Sequence, residues 1–179
     1  FEKNNHRIAF DISPVNYVIN HYCRLIGLEF DRDGIIASKG EVCQALLDEL
    51  NGMDYYNQEG PKSLGREWVE TQVYPLLERH GLSLEDMLRT FYEHAAYQIA
   101  QVIIANPTKN GESKMLITGG GAFNKFLVKR IENLSPCRIV IPDKQIIEYK
   151  EALIFAFLGA LYMAGEPSCL SSVTGSPID

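Results

Sequence analysis

Three consecutive glycines between a strand pattern and a helix pattern constrain this chain more than any other segment. Lys114–Thr118 is a short apolar run typical of a buried strand, and Gly119, Gly120 and Gly121 follow it directly. A helical pattern then begins at about Asn124. Glycines at such a turn permit positive φ and let a ligand approach the backbone closely. Free N–H groups at the helix start favour an anion, so the segment predicts contact with a phosphate or an adenosine.

A tight turn without a ligand is the alternative interpretation of the same glycines. Three glycines in a row lose more chain entropy on folding than a plain turn requires, which favours the nucleotide interpretation. The segment is not a Walker loop, because the Lys-Ser/Thr pair is missing, and it lacks the G-x-G-x-x-G spacing of dinucleotide sites. Nucleotide contact is therefore preferred, with the tight turn left open.

The remaining chain alternates between strand and helix patterns. Two further strands are predicted at Arg7–Asp11 and Arg138–Ile141. Helices are predicted at about 14–26, 41–50, 66–80 with a kink or break at Pro75, 83–105 with Ser83 as N-cap and Asp86 completing a capping box, and 149–164. This order predicts an α/β domain with a mainly parallel sheet flanked by helices. Three strands are few for so many helices, and we therefore expect the chain to be a fragment.

Asp11 ends the first predicted strand. Ligands of open α/β sheets bind at the carboxyl ends of the strands, so a carboxylate there is a candidate general base or a magnesium ligand through water. The same side chain could instead cap the helix that opens at Pro14, and position alone leaves the two alternatives even. Glu151 opens the last predicted helix, where the helix dipole alone explains an acid.

Charge and composition restrict the classes of partner. The net charge of −6 disfavours nucleic acid and anionic membranes, and no apolar run is long enough to span a bilayer. The four cysteines lack zinc-ligand spacing, so we expect reduced thiols in a cytoplasmic protein without a dedicated metal site. ATP remains possible, because small phosphates are held locally by backbone N–H groups and magnesium.

Five short motifs follow one another along the chain. They are D-I-S-P-V-N at Asp11–Asn16, P-K-S-L-G-R-E at Pro61–Glu67, T-G-G-G-A-F-N at Thr118–Asn124, K-E-A-L-I-F-A at Lys150–Ala156 and S-V-T-G at Ser172–Gly175. In this order they resemble the C-terminal half of the anhydro-N-acetylmuramic acid kinases. The resemblance covers nearly the whole chain. It implies that residues 1–179 are the C-terminal domain of such a protein, with the N-terminal domain absent, and a partial ribonuclease-H-like fold of the actin/hexokinase/Hsp70-like superfamily.

The resemblance also implies an activity. Family members use ATP and Mg²⁺ to open the 1,6-anhydro ring of the sugar with water and to phosphorylate O6, a step in peptidoglycan recycling. The implied partners are the small sugar and ATP, and a homodimer is plausible. The implied roles are catalytic base for Asp11, nucleotide binding for Gly119, Gly120, Gly121 and Asn124, and sugar binding for Glu151.

The first motif departs from the family pattern D-T-G-P-G-N at Ile12, Ser13 and Val15. Ile12 cannot supply the hydroxyl of a threonine, which keeps two alternatives open. One is a kinase of the same superfamily for a different sugar, and the other is a nucleotide-binding module without catalysis. The glycine-rich phosphate loops that precede this region in the family are also missing, so we expect the isolated chain to be weakly active or inactive.

Overall fold

The computed structural model describes residues 1–3, 6–60, 62–107 and 114–174. The elements are β1 Glu2–Lys3, β2 His6–Arg7, α1 Val15–Leu25, α2 Gln44–Asn51, α3 Asp54–Asn57, α4 Arg66–Trp68, α5 Tyr74–Arg79, α6 Leu84–Ala105, β3 Lys114–Leu116, α7 Lys125–Leu134, β4 Arg138–Val140, α8 Lys144–Ala164 and α9 Ser171–Thr174. Residues 4–5, Pro61, residues 108–113 and the tail 175–179, with Gly175 of the fifth motif, lie outside the described residues.

The fold is α/β, with a small parallel sheet flanked by helices. β3 and β4 pair in parallel, with Met115 opposite Ile139. α7 links the two strands, and its residues Leu127 and Ile131 join the hydrophobic core. The chain thus contains a β–α–β unit with the three glycines at its first strand-to-helix connection.

The predicted strand over Arg7–Asp11 is wrong. Only Arg7 of that segment lies in a strand, and it pairs with Glu2 in a short antiparallel hairpin. Ile8 exchanges backbone hydrogen bonds with Phe1 at the end of this hairpin, and no described strand lies beside residues 9–11. The N–H of Asp11 donates to the carbonyl of Lys62 at 3.1 Å.

The core is organised around α6, the longest helix of the described chain. Its buried side chains include Leu88, Phe91 and Tyr92, which pack with residues of α1, α2, α5 and α7. The predicted N-cap is confirmed, because the Ser83 hydroxyl accepts from the N–H of Asp86 at 3.1 Å. The carboxylate of Asp86 accepts from the N–H of Glu41 at 2.8 Å, so it fastens a neighbouring loop to the helix start as well.

Pro75 divides its helix as predicted. The segment Val69–Val73 is a π-helix that joins α4 to α5, and Pro75 stands in the first turn of α5. Proline has no N–H to donate to the preceding turn, and a widened turn before it accommodates the missing bond.

The last long helix, α8, begins at Lys144 instead of the predicted Tyr149. Ile147 is its only buried residue, whereas large apolar side chains such as Phe155 and Met163 are 71% and 84% exposed. No helix among the described residues has both the length and the hydropathy of a membrane span.

Candidate functional site

The glycine segment forms a compact turn. Of its three glycines, only Gly119 has a backbone conformation that favours glycine over other residues. Gly119 has φ +76°, and the segment Gly120–Phe123 is a 3₁₀ turn. A Cβ at Gly120 or Gly121 would lie 3.7 or 3.8 Å from Nδ2 of Asn16, which is ordinary contact. The side chain of Asn16, the last residue of the first motif, is therefore the nearest neighbour of these two glycines.

Asn124 has two bonds within the fold. Its Oδ1 accepts from the N–H of Leu127 at 3.0 Å, which caps α7, and its Nδ2 donates to the hydroxyl of Tyr92 at 2.6 Å. These contacts fix the start of α7 next to the glycine turn. Nucleotide binding by Asn124 stays a prediction. In the structure, Asn124 also positions the start of α7.

A cleft of about 590 Å³ adjoins the glycine turn. Its walls come from α1, from the turn that follows α1, from the glycine turn and from the first two turns of α8. The lining residues are Asn16, Ile19, Asn20, Phe30, Asp31, Arg32, Asp33, Gly120, Phe123, Asn124, Lys144 and Glu148. This volume is within the range of small-molecule sites, which combine apolar side chains with a few polar groups.

The turn Phe30–Gly34 is the part of this cleft that the sequence did not reveal. Asp33 and Gly34 form a turn in which both residues have positive φ, +55° and +73°. The carboxylate of Asp31 is buried and accepts from the N–H groups of Ile36 and Ala37 at 2.8 and 3.2 Å. Nothing local in the sequence indicated that this turn would face the glycines.

The same turn is fastened to the start of α7. A Cβ on Gly34 would overlap the Cβ of Phe126 and would lie 2.9 Å from Oδ1 of Asn124, so only glycine fits. Lys125 places its ammonium 3.4 Å from Oδ1 of Asp33. The turn and the glycine segment therefore form two walls of one cleft whose separation is set by close packing.

Asp11 is held by a separate segment, residues 55–60 and 62–64. Besides the bond to Lys62, the carbonyl of Asp11 accepts from the hydroxyl of Tyr55 at 2.6 Å, and its Oδ2 accepts from the N–H of Leu64 at 2.8 Å. The residue is exposed, and α1 has no side-chain cap bond. The capping alternative for Asp11 is therefore wrong, and its carboxylate is fixed through one oxygen.

Lys62 holds that segment together. Its Nζ donates to the carbonyls of Tyr55 and Gln58, both at 2.9 Å, and lies 4.5 Å from the centre of the Tyr55 ring. Burial lowers the pKa of the Lys62 ammonium. Burial, and then the charge of Asp11, raises the pKa of Tyr55 to about 12, so its phenol remains a donor at neutral pH.

His94 is a structural residue. Its Nδ1 lies 2.7 Å from Oδ1 of Asn51 and its Nε2 lies 2.9 Å from the hydroxyl of Tyr56. Because Asn51 Oδ1 is an acceptor, Nδ1 carries the proton and Nε2 accepts from Tyr56. Burial lowers the pKa of His94 to about 3, which keeps the ring neutral.

The K-E-A-L-I-F-A motif places Lys150 at the glycine turn, and Glu151 elsewhere. Lys150 Nζ lies 3.9 Å from the position of a Cβ on Gly119. Glu151 is exposed and has no hydrogen bond or ion pair with any described residue. Gly120 and Asn124 line the cleft, whereas Asp11 and Glu151 do not. Lys150 belongs to the same motif as Glu151, and the sequence pattern assigned it no role.

Comparison with known proteins decides the family. The model of the family described as anhydro-N-acetylmuramic acid kinase matches residues 1–178. The chain belongs to this family. It is 32% identical over 97% of its length to an anhydro-N-acetylmuramic acid kinase of Vibrio cholerae, and 35% identical over 94% to one of Vibrio parahaemolyticus. It covers 48% and 46% of those two proteins, so it spans about half the length of these relatives.

The first motif of this chain departs from the pattern of the anhydro-N-acetylmuramic acid kinase family at three residues. Two of these residues lie away from the cleft. Val15 packs against the hydrophobic core. Ile12 lines a second cavity of about 450 Å³, together with Phe10 and Tyr56. Neither residue lines the cleft beside Gly120. Neither departure therefore alters a residue that lines the cleft.

Proposed function

We propose that this chain is the nucleotide-binding, C-terminal part of an ATP-dependent kinase for 1,6-anhydro-N-acetylmuramic acid. The observation that carries the proposal is the cleft of about 590 Å³ beside the strand–glycine–helix turn, in a chain of this kinase family. A partial ribonuclease-H-like fold and a cytoplasmic location belong to the same proposal. The chain spans about half the length of its relatives, so the activity is assigned to the full-length polypeptide. By full-length polypeptide we mean this chain together with the half of the family length that it does not cover.

The nucleotide is assigned to the cleft and the glycine turn. The open backbone at Gly120 and Gly121 admits a phosphate or ribose, and the ammonium of Lys150 beside Gly119 supplies positive charge. The cleft combines polar side chains with the apolar side chains of Ile19, Phe30 and Phe123, and this combination suits a nucleoside. The phosphates and the ribose would thus lie against the glycines, and the base would lie in the cleft.

Asp11 is assigned as the general base. Its Oδ2 is engaged by the N–H of Leu64, which orients the carboxylate and leaves Oδ1 to accept a proton. Oδ1 would take a proton from water as that water attacks the anomeric carbon and the bond from this carbon to the bridging oxygen breaks. The bridging oxygen, still bonded to C6, then attacks the γ-phosphorus, and ADP leaves. Glu151 is assigned to the sugar through the family resemblance.

Mg²⁺ fits this site as an ion that arrives with the nucleotide. Kinases hold Mg²⁺ with one or two carboxylates and the substrate phosphates. Within the described ranges, no group of three His, Cys, Asp or Glu side chains is placed to hold a metal. The substrate phosphates would therefore supply most of its ligands. The ion would neutralise charge on the phosphates.

The proposal is tested by comparing phosphate acceptors. The full-length polypeptide is incubated with MgATP and either 1,6-anhydro-N-acetylmuramic acid or simple hexoses, and ADP release is measured. We expect turnover with the anhydro sugar and background rates with hexoses, while this chain alone gives little or no turnover. Turnover with a hexose only would instead identify a kinase for another sugar. ADP binding without turnover on any acceptor would identify a binding module.

A further inference from the structure

Two phenylalanines are exposed inside the cleft. Phe30 and Phe123 line it with 47% and 46% of their surfaces exposed. Exposing an aromatic ring to water forgoes the free energy of burying it. A cleft that keeps two such rings among polar groups offers them to a flat, partly apolar ligand.

The turn that carries Phe30 is also unusual in its charge and its backbone. The guanidinium of Arg32 lies 5.8 Å from the centre of the Phe30 ring, a cation–π contact. Asp33 is the only residue besides glycine with positive φ in the described chain, and it lines the cleft. A strained residue persists only where its surroundings hold it, and such strain is concentrated at binding sites.

The surroundings do hold this turn. The buried carboxylate of Asp31 bonds two backbone N–H groups from inside the turn, and Gly34 packs against Phe126 of α7 without room for a Cβ. Because α7 follows the glycine turn directly, the distance from Phe30 to the glycines is fixed before any ligand binds. A fixed gap of this kind reduces the entropy cost of binding.

From these contacts we propose that the turn Phe30–Gly34 is the nucleobase-binding element, with the Phe30 ring stacking on the base of a nucleoside diphosphate or triphosphate. The inference rests on the proposed function in one respect, since it takes the glycine turn as the place of the phosphates. It adds that Phe30 contributes to affinity through the base and not through the phosphates. The chemistry required of the ligand is a planar heterocycle joined to a polyphosphate.

The test is a calorimetric titration of this chain with two ligands, ADP and pyrophosphate, each with Mg²⁺. Pyrophosphate has the charge but no base. Phe30→Ala is expected to weaken ADP binding about tenfold, the effect of losing one stacked base, and to leave pyrophosphate affinity unchanged. Phe30→Trp should retain ADP affinity. Leu28→Ala is the matched control, because Leu28 is 46% exposed and lies outside this cleft.

The outcomes separate the inference from the function beneath it. Equal ADP affinity in Phe30→Ala and in the unsubstituted chain overturns the inference. An equal loss of affinity for ADP and for pyrophosphate in Phe30→Ala overturns it as well. An unsubstituted chain that binds pyrophosphate as tightly as ADP also overturns it. A chain that binds neither ligand removes the proposed nucleotide site, and the inference with it.

Discussion

Replacing Asp11 with asparagine is expected to lower the kcat of the full-length polypeptide by about 10²–10⁴-fold, the usual contribution of a general base. The amide is nearly isosteric with the carboxylate, and its oxygen can still accept from the N–H of Leu64. It cannot take a proton from water at neutral pH. The ADP affinity should not change, because Asp11 lies outside the lining of the cleft. Initial rates and ADP titrations on the same preparation give both quantities.

A second carboxylate provides the control for this substitution. Asp54 is exposed at the start of α3 and has no assigned role, so Asp54→Asn should retain the rate of the unsubstituted protein. If Asp11→Asn turns over as fast as Asp54→Asn, Asp11 is not the base and the assignment of the site is wrong. If instead ADP affinity falls together with the rate, Asp11 acts through the nucleotide and not through the attacking water.

Substituting Gly34 with alanine should lower the free energy of unfolding by about 3 kcal/mol. Part of this is the left-handed backbone, φ +73°, which costs an alanine roughly 1–2 kcal/mol. The rest is overpacking of about 1–3 kcal/mol, because the new Cβ overlaps the Cβ of Phe126, which is close to the backbone of α7 and cannot move independently of it. Chemical denaturation of the chain measures the loss.

Gly27 is a matched control for Gly34. It has φ +80°, and a Cβ there would meet nothing within 4 Å. Gly27→Ala therefore isolates the backbone cost, and we expect about 1 kcal/mol. Equal losses in the two variants would show that the close packing of Gly34 against α7 contributes nothing, and the cleft would then lack the fixed wall described above.

The local features of the fold were predictable from the sequence. The helix capped by Ser83 and the break at Pro75 depend on residues a few positions apart, and both are confirmed. The strand–glycine–helix order was likewise predictable, because strand length, glycines and helix periodicity are adjacent in the chain. Gly119 needs positive φ, whereas Gly120 and Gly121 do not, a distinction that only the backbone conformation provides.

The features that were missed depend on distant residues. A run such as Arg7–Asp11 has the composition of a strand, but a strand also requires a neighbour, and Asp11 bonds to Lys62 instead. The turn Phe30–Gly34 is local in the sequence, yet its position across from the glycines is set by packing on α7. The choice between base and helix cap for Asp11 was even in the sequence, and the bond from Leu64 excludes the cap.

The most direct measurement of the proposed reaction follows the oxygen of water. The full-length polypeptide is incubated with MgATP and 1,6-anhydro-N-acetylmuramic acid in ¹⁸O-labelled water, and the product is analysed by mass spectrometry. We expect N-acetylmuramic acid 6-phosphate with one heavy oxygen at the anomeric carbon, because the attacking water adds there while the bridging oxygen takes the phosphoryl group. A phosphorylated sugar that keeps its anhydro ring, or inorganic phosphate as the only labelled product, would contradict the proposal.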